Sequence, residues 1–285
     1  MPTIAIIGTG IMGRGIALNL KKAGHSMRIF ARNKAKIADM LDANTVHFET
    51  AAEAVRGADL TVLCLTEDEV IRRTVLTPEL LSGIRGIIID VGTTSPDLTI
   101  EMHHLFKQHS ARFFDSPMTG SKTAANEGQI FFIVGGSEQD ISDTKYFYDA
   151  CSRGFVRCGG VGDAQRAKIV LNMVQAGTLQ MFIEGLSLAT KIGIEAQTMK
   201  SIIENSAARS GLSDFKAPFI LAKNFETHFS VRNMNKDLNH AMHLALGTNA
   251  ELPLSFSLKG VFDRAMNSGH AESDFCAIAA NVEIR

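Results

Sequence analysis

Three polar groups in this sequence have the types and spacing for chemistry. Lys168, Asn172 and Gln175 fall at i, i+4 and i+7, one polar stripe along a helix that is otherwise apolar. A lysine in apolar surroundings is costly unless it has a partner or a task. Spacing alone fits a water-facing stripe equally well, but two further segments tilt the reading toward a site. Asp90-Val91-Gly92-Thr93-Thr94-Ser95-Pro96 follows a strand pattern and puts hydroxyls at the carboxyl edge of a sheet, where open α/β folds bind ligands. Asp115-Ser116-Pro117-Met118-Thr119-Gly120-Ser121-Lys122 follows the next strand. Its small residues, hydroxyls and open N–H groups could hold a substrate carboxylate.

These groups need a sheet edge and a helix to carry them, and the apolar periodicity supplies both. Strand patterns occur at Thr3–Ile7, Met27–Ala31, Leu60–Leu65, Gly86–Asp90, Ala111–Phe114 and Ile130–Val134. Helical patterns lie between them at Gly13–Ala23, Ala35–Leu41, Ala51–Val55, Glu69–Val75 and Asp97–Gln108. This alternation argues a parallel, doubly wound sheet. It stops after Phe155–Val156, and the stretch from Ala164 to about Lys191, which lacks proline, reads as one helix. At ~1.5 Å per residue that helix spans roughly 40 Å, long enough to join two domains. Helical segments near Ala196–Asn205, Asp214–Ala222, Asn235–Leu246 and Leu254–Asn267 follow. The expected fold is α/β: an N-terminal doubly wound Rossmann sheet over 1–163, a long interdomain helix over 164–191, and an all-α C-terminal domain over 192–285.

The first strand pattern breaks into Gly8-Thr9-Gly10-Ile11-Met12-Gly13 and then into a helix, the context a dinucleotide site requires. Gly8 allows the tight turn, Gly10 lets backbone approach a pyrophosphate, and Gly13 lets helix and strand pack closely. The free N–H groups at the helix start would meet the phosphate charge. An ordinary glycine-rich turn with no ligand is the plain alternative. At the end of the second strand an NAD-binding fold places a carboxylate on the ribose 2′-OH. Here the chain reads Ile29-Phe30-Ala31-Arg32-Asn33-Lys34. A guanidinium there can pair with a 2′-phosphate, so the expected cofactor is NADP(H), with Arg32 as main contact and Asn33 or Lys34 assisting. A solvated basic turn is the competing reading.

The 285 residues suit roughly two domains. The formal net charge of −1 offers no electrostatic case for nucleic acid or an anionic membrane. Cys64, Cys151, Cys158 and Cys276 form neither a C-x-x-C nor a metal-ligand spacing. Free thiols without a disulfide framework suit a reducing cytosol, and a cytoplasmic protein is expected. The apolar stretch Ile169–Thr190 is interrupted by Asn172, Gln175, Gln180 and Glu184, which argues against a membrane span. His103, His104 and His109 read as a solvated surface, not a metal site.

The ordered motifs resemble the β-hydroxyacid dehydrogenase family, which includes 3-hydroxyisobutyrate dehydrogenase and tartronate semialdehyde reductase. The match runs from the glycine turn through Asp90–Thr93, Ser116–Gly120 and Gly162–Asn172 to Lys236-Asp237. Thr119-Gly120-Ser121-Lys122, Glu127-Gly128-Gln129, Phe229 and Asn235-Lys236-Asp237-Leu238 look most like the glyoxylate/succinic semialdehyde reductase subgroup. Such enzymes reduce short carboxylated aldehydes with NADPH. The resemblance implies that Lys168 is the catalytic lysine, giving a proton to the carbonyl oxygen or stabilising the oxyanion, with Asn172 orienting it. It implies that Thr119, Gly120 and Ser121 grip the carboxylate while Phe229 and Asp237 close the pocket. Leu65, Thr66, Thr93 and Lys236 fall to the cofactor side, and a homodimer is implied. Gly92 and Thr119 stand where the family usually has serine. The Ala207–Gly211 loop departs from the subgroup pattern, leaving Arg209 open between a carboxylate anchor and a surface charge. Rival readings are a 3-hydroxyisobutyrate-type dehydrogenase running oxidation, an imine reductase (a branch that usually replaces the lysine), and a non-catalytic NADP-binding protein.

Overall fold

Strand β1 (Thr3–Ile7) is almost wholly buried, the mark of a strand covered on both faces. Its side chains divide with the period of two that a strand imposes. Ile4 and Ile6 join one apolar core, and Ala5 and Ile7 join another across the sheet. The computed structural model describes residues 1–284 and divides into two compact units, Met1–Lys168 and Ile169–Arg285.

In the first unit, β1 is followed by α1 (Ile11–Lys22), β2 (Ser26–Phe30), a 3-10 turn over Lys34–Met40, and β3 (Thr45–Phe48). Next come α2 (Ala51–Val55), β4 (Leu60–Leu63), α3 (Asp68–Val75), α4 (Pro78–Gly83), β5 (Ile87–Asp90) and α5 (Pro96–Gln108). The unit continues with β6 (Arg112–Asp115), β7 (Met118–Thr119), α6 (Lys122–Asn126), β8 (Ile130–Gly135), α7 (Glu138–Asp143), α8 (Lys145–Cys151) and β9 (Ser152–Gly159). The sheet order is β3-β2-β1-β4-β5-β6-β8-β7, with β9 on β8. The pairs from β3 through β6 are parallel, and their order is that of a dinucleotide-binding sheet.

The structure corrects the expected sheet in three places. The strand expected at Ile130–Val134 forms, but it runs antiparallel to β6 and β7. Strand β7 keeps the direction of β6, and residues 120–129 between it and β8 are fewer than the dozen or more that a parallel crossover needs. Strands β3 and β7 were not expected, because four and two residues are too short to show a period. The helix expected at Ala35–Leu41 is a 3-10 turn at Lys34–Met40, with the Asn33 side chain accepting the Ala35 N–H at its start.

Helix α9 (Asp163–Lys191) runs unbroken through the division between the units. It is long and apolar enough to cross a membrane by length and composition. Within the second unit Ala176, Leu179, Ile183 and Leu186 lie in the core, the pattern of a core helix. That unit adds α10 (Ala196–Glu204), α11 (Gly211–Leu221), α12 (Val231–Thr248) and α13 (Pro253–Ala265), then a 3-10 segment over Phe275–Asn281. Among the described residues no strand follows Gly159, so this part is all-helical as expected.

Candidate active site

The glycine turn is built by two packing demands and one vacancy. Gly8 has φ +105, and a Cβ there would lie 2.4 Å from the Cys64 carbonyl oxygen. A Cβ on Gly13 would lie 2.1 Å from the Gly8 carbonyl oxygen. A Cβ on Gly10 would meet nothing within 4 Å. Gly10 is the N-cap of α1, where no side chain caps the helix and no acidic residue sits in the first turn. No side-chain cap or carboxylate therefore competes for the first N–H groups, and the helix dipole adds to their pull, which suits a phosphate. Thr9 and Met12 are half-buried on either side, and Ile11 is exposed.

The other expected cofactor contacts of the first unit follow strand ends. Arg32 is exposed just beyond β2. Asn33 spends its side-chain oxygen on the Ala35 N–H (3.0 Å). Arg14 of α1 fastens the 3-10 turn through Asp39 (2.5 Å) and the Lys36 carbonyl (3.0 Å). Leu65 and Thr66 lie in the loop after β4, and Leu65 packs over the Gly8 position. The Leu65 carbonyl oxygen also explains Gly92, because a Cβ there would lie 2.1 Å from it. The serine that the resemblance leads one to expect here does not fit this loop.

At the carboxyl ends of β5 and β6 two fully buried carboxylates anchor the start of α9. Asp115 accepts the backbone N–H groups of Gly162 (2.7 Å) and Gln165 (2.8 Å). Asp90 accepts the Gly92 N–H (3.0 Å) and the Thr94 hydroxyl (2.6 Å). Gln165, also fully buried, joins the two groups through its side-chain amide. Burial pushes the Asp115 carboxyl up to about 7 against the pull of its N–H donors, with the Asp90 charge adding to the rise. Burial and then the Asp90 charge push the Cys64 thiol up to about 12, so it is a packing residue and no nucleophile. Thr93 is half-buried in the Asp90–Ser95 segment, and Lys168 is 7 % exposed at the second turn of α9.

Thr119 ends β7, and Ser121 caps α6 by accepting the Ala124 N–H (3.2 Å). Helix α6 is held against α1 by two residues that sequence reasoning missed. Asn19 Nδ2 donates to the Ala125 carbonyl (2.7 Å) and to the Gly15 carbonyl (2.8 Å). A Cβ on Gly15 would come within 2.7 Å of the Ala125 backbone. The only signal was an extra glycine two residues after Gly13.

In the second unit Asn172, one helical turn beyond Lys168, donates to Asp237 (2.5 Å), and Lys236 pairs with the other Asp237 oxygen (3.0 Å). Asn172 is 2 % exposed and Asp237 fully buried, so this polar chain is no water-facing stripe. Phe229 is half-buried, and its N–H donates to Asp274 (3.1 Å). Asp274 forms a buried ion pair with Lys216 (2.7 Å) and accepts two more backbone N–H groups, of His228 and Cys276. Lys216 and Asp274 were also missed, since Asp274 is remote from Phe229 in sequence. Arg209 is exposed and pairs with Asp214 (2.9 Å). Among the described residues no three histidines, cysteines or acids cluster as a metal site.

Comparisons with known proteins match this arrangement along its length. A family model described as the NAD binding domain of 6-phosphogluconate dehydrogenase covers residues 3–160. A second, described as the NAD-binding of NADP-dependent 3-hydroxyisobutyrate dehydrogenase, covers residues 162–282. The cytokine-like nuclear factor N-PAC of Xenopus tropicalis is 29% identical over 279 residues, 96% of this chain and 52% of that protein. The chain thus spans about half the length of the first curated relatives it matches. Glyoxylate/succinic semialdehyde reductase 2, chloroplastic, of Arabidopsis thaliana is 25% identical over 285 residues, 97% of this chain and 78% of that protein. The structure of Mycobacterium tuberculosis 3-hydroxyisobutyrate dehydrogenase with L-serine superposes with a TM-score of 0.88 at 29% identity, covering 99% of each chain.

Proposed function

The chain belongs to the 3-hydroxyisobutyrate dehydrogenase-like family of β-hydroxyacid dehydrogenases, and on that premise we propose that it is an NADPH-dependent reductase of a short carboxylated aldehyde. Glyoxylate and succinic semialdehyde represent the substrate class. The observation that carries this reading is the buried Lys168 on α9, followed one turn later by Asn172 locked to Asp237.

The α1 N-terminus over Gly10 takes the pyrophosphate, and Arg32 takes the 2′-phosphate. Leu65, Thr66, Thr93 and Lys236 complete the cofactor's surroundings. When bound, NADPH supplies the hydride. The Lys168 ammonium donates a proton to the carbonyl oxygen as negative charge develops there. Asn172 and Asp237 orient the reacting group, Thr119, Gly120 and Ser121 hold the carboxylate, and Phe229 excludes water. The unpaired state of all four cysteines supports a reducing, cytoplasmic setting. Val170, Val174, Met181 and Leu188 are exposed at helical spacing on α9, an apolar stripe that supports a homodimer. Light scattering reads that state directly. Neither a nucleic acid nor a membrane is part of this reading.

The likeness to the mycobacterial dehydrogenase favours a second reading, oxidation of a 3-hydroxy acid by the same residues. Following NADPH and NADH oxidation with glyoxylate, succinic semialdehyde, methylmalonate semialdehyde, tartronate semialdehyde and a cyclic imine separates the possibilities. The expected result is NADPH-dependent turnover of a carboxylated aldehyde, with a loss of roughly 100-fold or more in folded Lys168→Ala. Absence of turnover with every carboxylated aldehyde, or an unchanged Lys168→Ala enzyme, overturns the proposal.

A further inference from the structure

We propose that Gln165 is a positioning residue that clamps the Thr93 segment to the helix bearing Lys168; this rests on the reductase reading above. Its side-chain amide is used at both ends. Gln165 Oε1 accepts the Thr94 N–H (3.1 Å), and Gln165 Nε2 donates to the Gly92 carbonyl (3.0 Å). These are the backbone groups immediately before and after Thr93. Nε2 also reaches Asp90 Oδ2 (3.3 Å), the oxygen that the Thr94 hydroxyl holds. The backbone N–H of Gln165 donates to Asp115. One residue therefore joins the ends of two strands, the loop between β5 and α5, and the first turn of α9.

Gln165 and Lys168 stand at i and i+3, neighbours on one helix face. With Gln165 and Gly162 both fastened to Asp115, the helix cannot turn about its axis without breaking buried hydrogen bonds, and the bearing of Lys168 is fixed with it. The same amide fixes Thr93 from both sides while leaving its side chain partly open. A buried polar network with every member partnered holds one geometry, where an apolar filler of equal volume would permit several. Catalytic groups misplaced by about 1 Å can lose roughly 100-fold in rate. The clamp acts on alignment of Thr93 and Lys168, away from the pyrophosphate contacts at Gly10.

The test uses the full chain with Gln165→Met, which keeps length and removes all three side-chain hydrogen bonds. The expected outcome is a fall in kcat of roughly tenfold or more, with the NADPH Kd within about threefold of wild type. The deuterium isotope effect on kcat with NADPH labelled at the transferred position should rise, because the misaligned hydride step then limits turnover. Should Gln165→Met not fold, Gln165→Asn keeps the amide but is one methylene too short to span the Gly92 carbonyl and the Thr94 N–H; its kcat should fall in the same direction. Amide exchange at Thr94 gives a readout without turnover: protection should drop at residues 92–94 and at the start of α9 and persist elsewhere. A kcat within about twofold of wild type in Gln165→Met or Gln165→Asn, or a fall matched by lost NADPH binding, overturns the proposal. If the wild type reduces no carboxylated aldehyde, the reductase reading fails, and unchanged exchange at Thr94 in the variants would separately remove the clamp.

Discussion

On the proposed reading, Arg32 is where a single side chain decides between two cofactors. It is exposed beyond β2 with no carboxylate beside it at the strand end, and Asn33 is already committed to capping the next turn. The guanidinium therefore carries most of any 2′-phosphate recognition. A charge-assisted hydrogen bond contributes about 1.5–3 kcal/mol, so Arg32→Asp should cut the NADPH:NADH ratio of kcat/KM by roughly 10- to 100-fold. Steady-state kinetics with both nucleotides measures it, and an unchanged ratio would show that Arg32 does not read the phosphate. At this scale the sequence was informative where packing dictates residue type, as at Gly8 and Gly13. It was silent on Gly92, because the carbonyl of Leu65 that excludes a side chain there comes from another loop.

Elements with strong periods were legible, and the supports between them were not. β1, β4, β5 and α5 appear close to their expected bounds because each is apolar at the spacing its geometry demands. The α6 segment has only five residues and no stripe, yet it sets where Ser121 stands. Its position depends on α1, through the missing Cβ of Gly15 and the Asn19 amide. Gly15→Ala should force α6 outward, because the backbone of Ala125 cannot yield as a flexible side chain would. Overpacking of this kind costs about 1–3 kcal/mol, readable as a lower urea midpoint. The proposed carboxylate grip should weaken with it, raising KM for the aldehyde while NADPH affinity holds. A variant with wild-type KM and stability would mean that α6 is not set by α1.

Each unit holds a buried carboxylate with a displaced titration, Asp115 in the first and Asp274 in the second, and the two respond to pH in opposite senses. In the second unit Asp274 is buried, which pushes its carboxyl up, but Lys216 and the Cys276 N–H more than offset this and hold it below its ordinary value. The stability it contributes is present at neutral pH and lost on acidification. Asp274→Ala would leave Lys216 buried without its counter-charge and orphan three backbone N–H groups. Removing one partner of such a pair costs about 3–5 kcal/mol, and Lys216→Met should cost less because Asp274 keeps its N–H donors. Urea unfolding of the two variants checks the order.

In the first unit Asp115 behaves the other way. Its folded carboxyl holds a proton up to about 7, whereas the unfolded one releases it near the ordinary 3.8. Between those values the folded protein binds more protons than the unfolded chain, so its stability falls as pH rises. The contribution is complete below the unfolded value and gone above about 7, and the full swing is on the order of 4 kcal/mol. The chain has no tryptophan and only two tyrosines, Tyr146 and Tyr148. Both lie in this unit, and the Tyr148 hydroxyl is 3.0 Å from Ser116, the neighbour of Asp115. Tyrosine fluorescence therefore reports the first unit alone. Its urea midpoint should decline from pH 5 to pH 8 in the wild type. In Asp115→Asn the slope should flatten even though the midpoint is lower throughout, because the amide nitrogen cannot accept and one of the Gly162 and Gln165 N–H groups loses its partner. Other groups that titrate in this range are common to both proteins and cancel in the comparison. Parallel slopes in wild type and variant would mean that Asp115 is already ionised at pH 5, held so by the N–H donors at the start of α9.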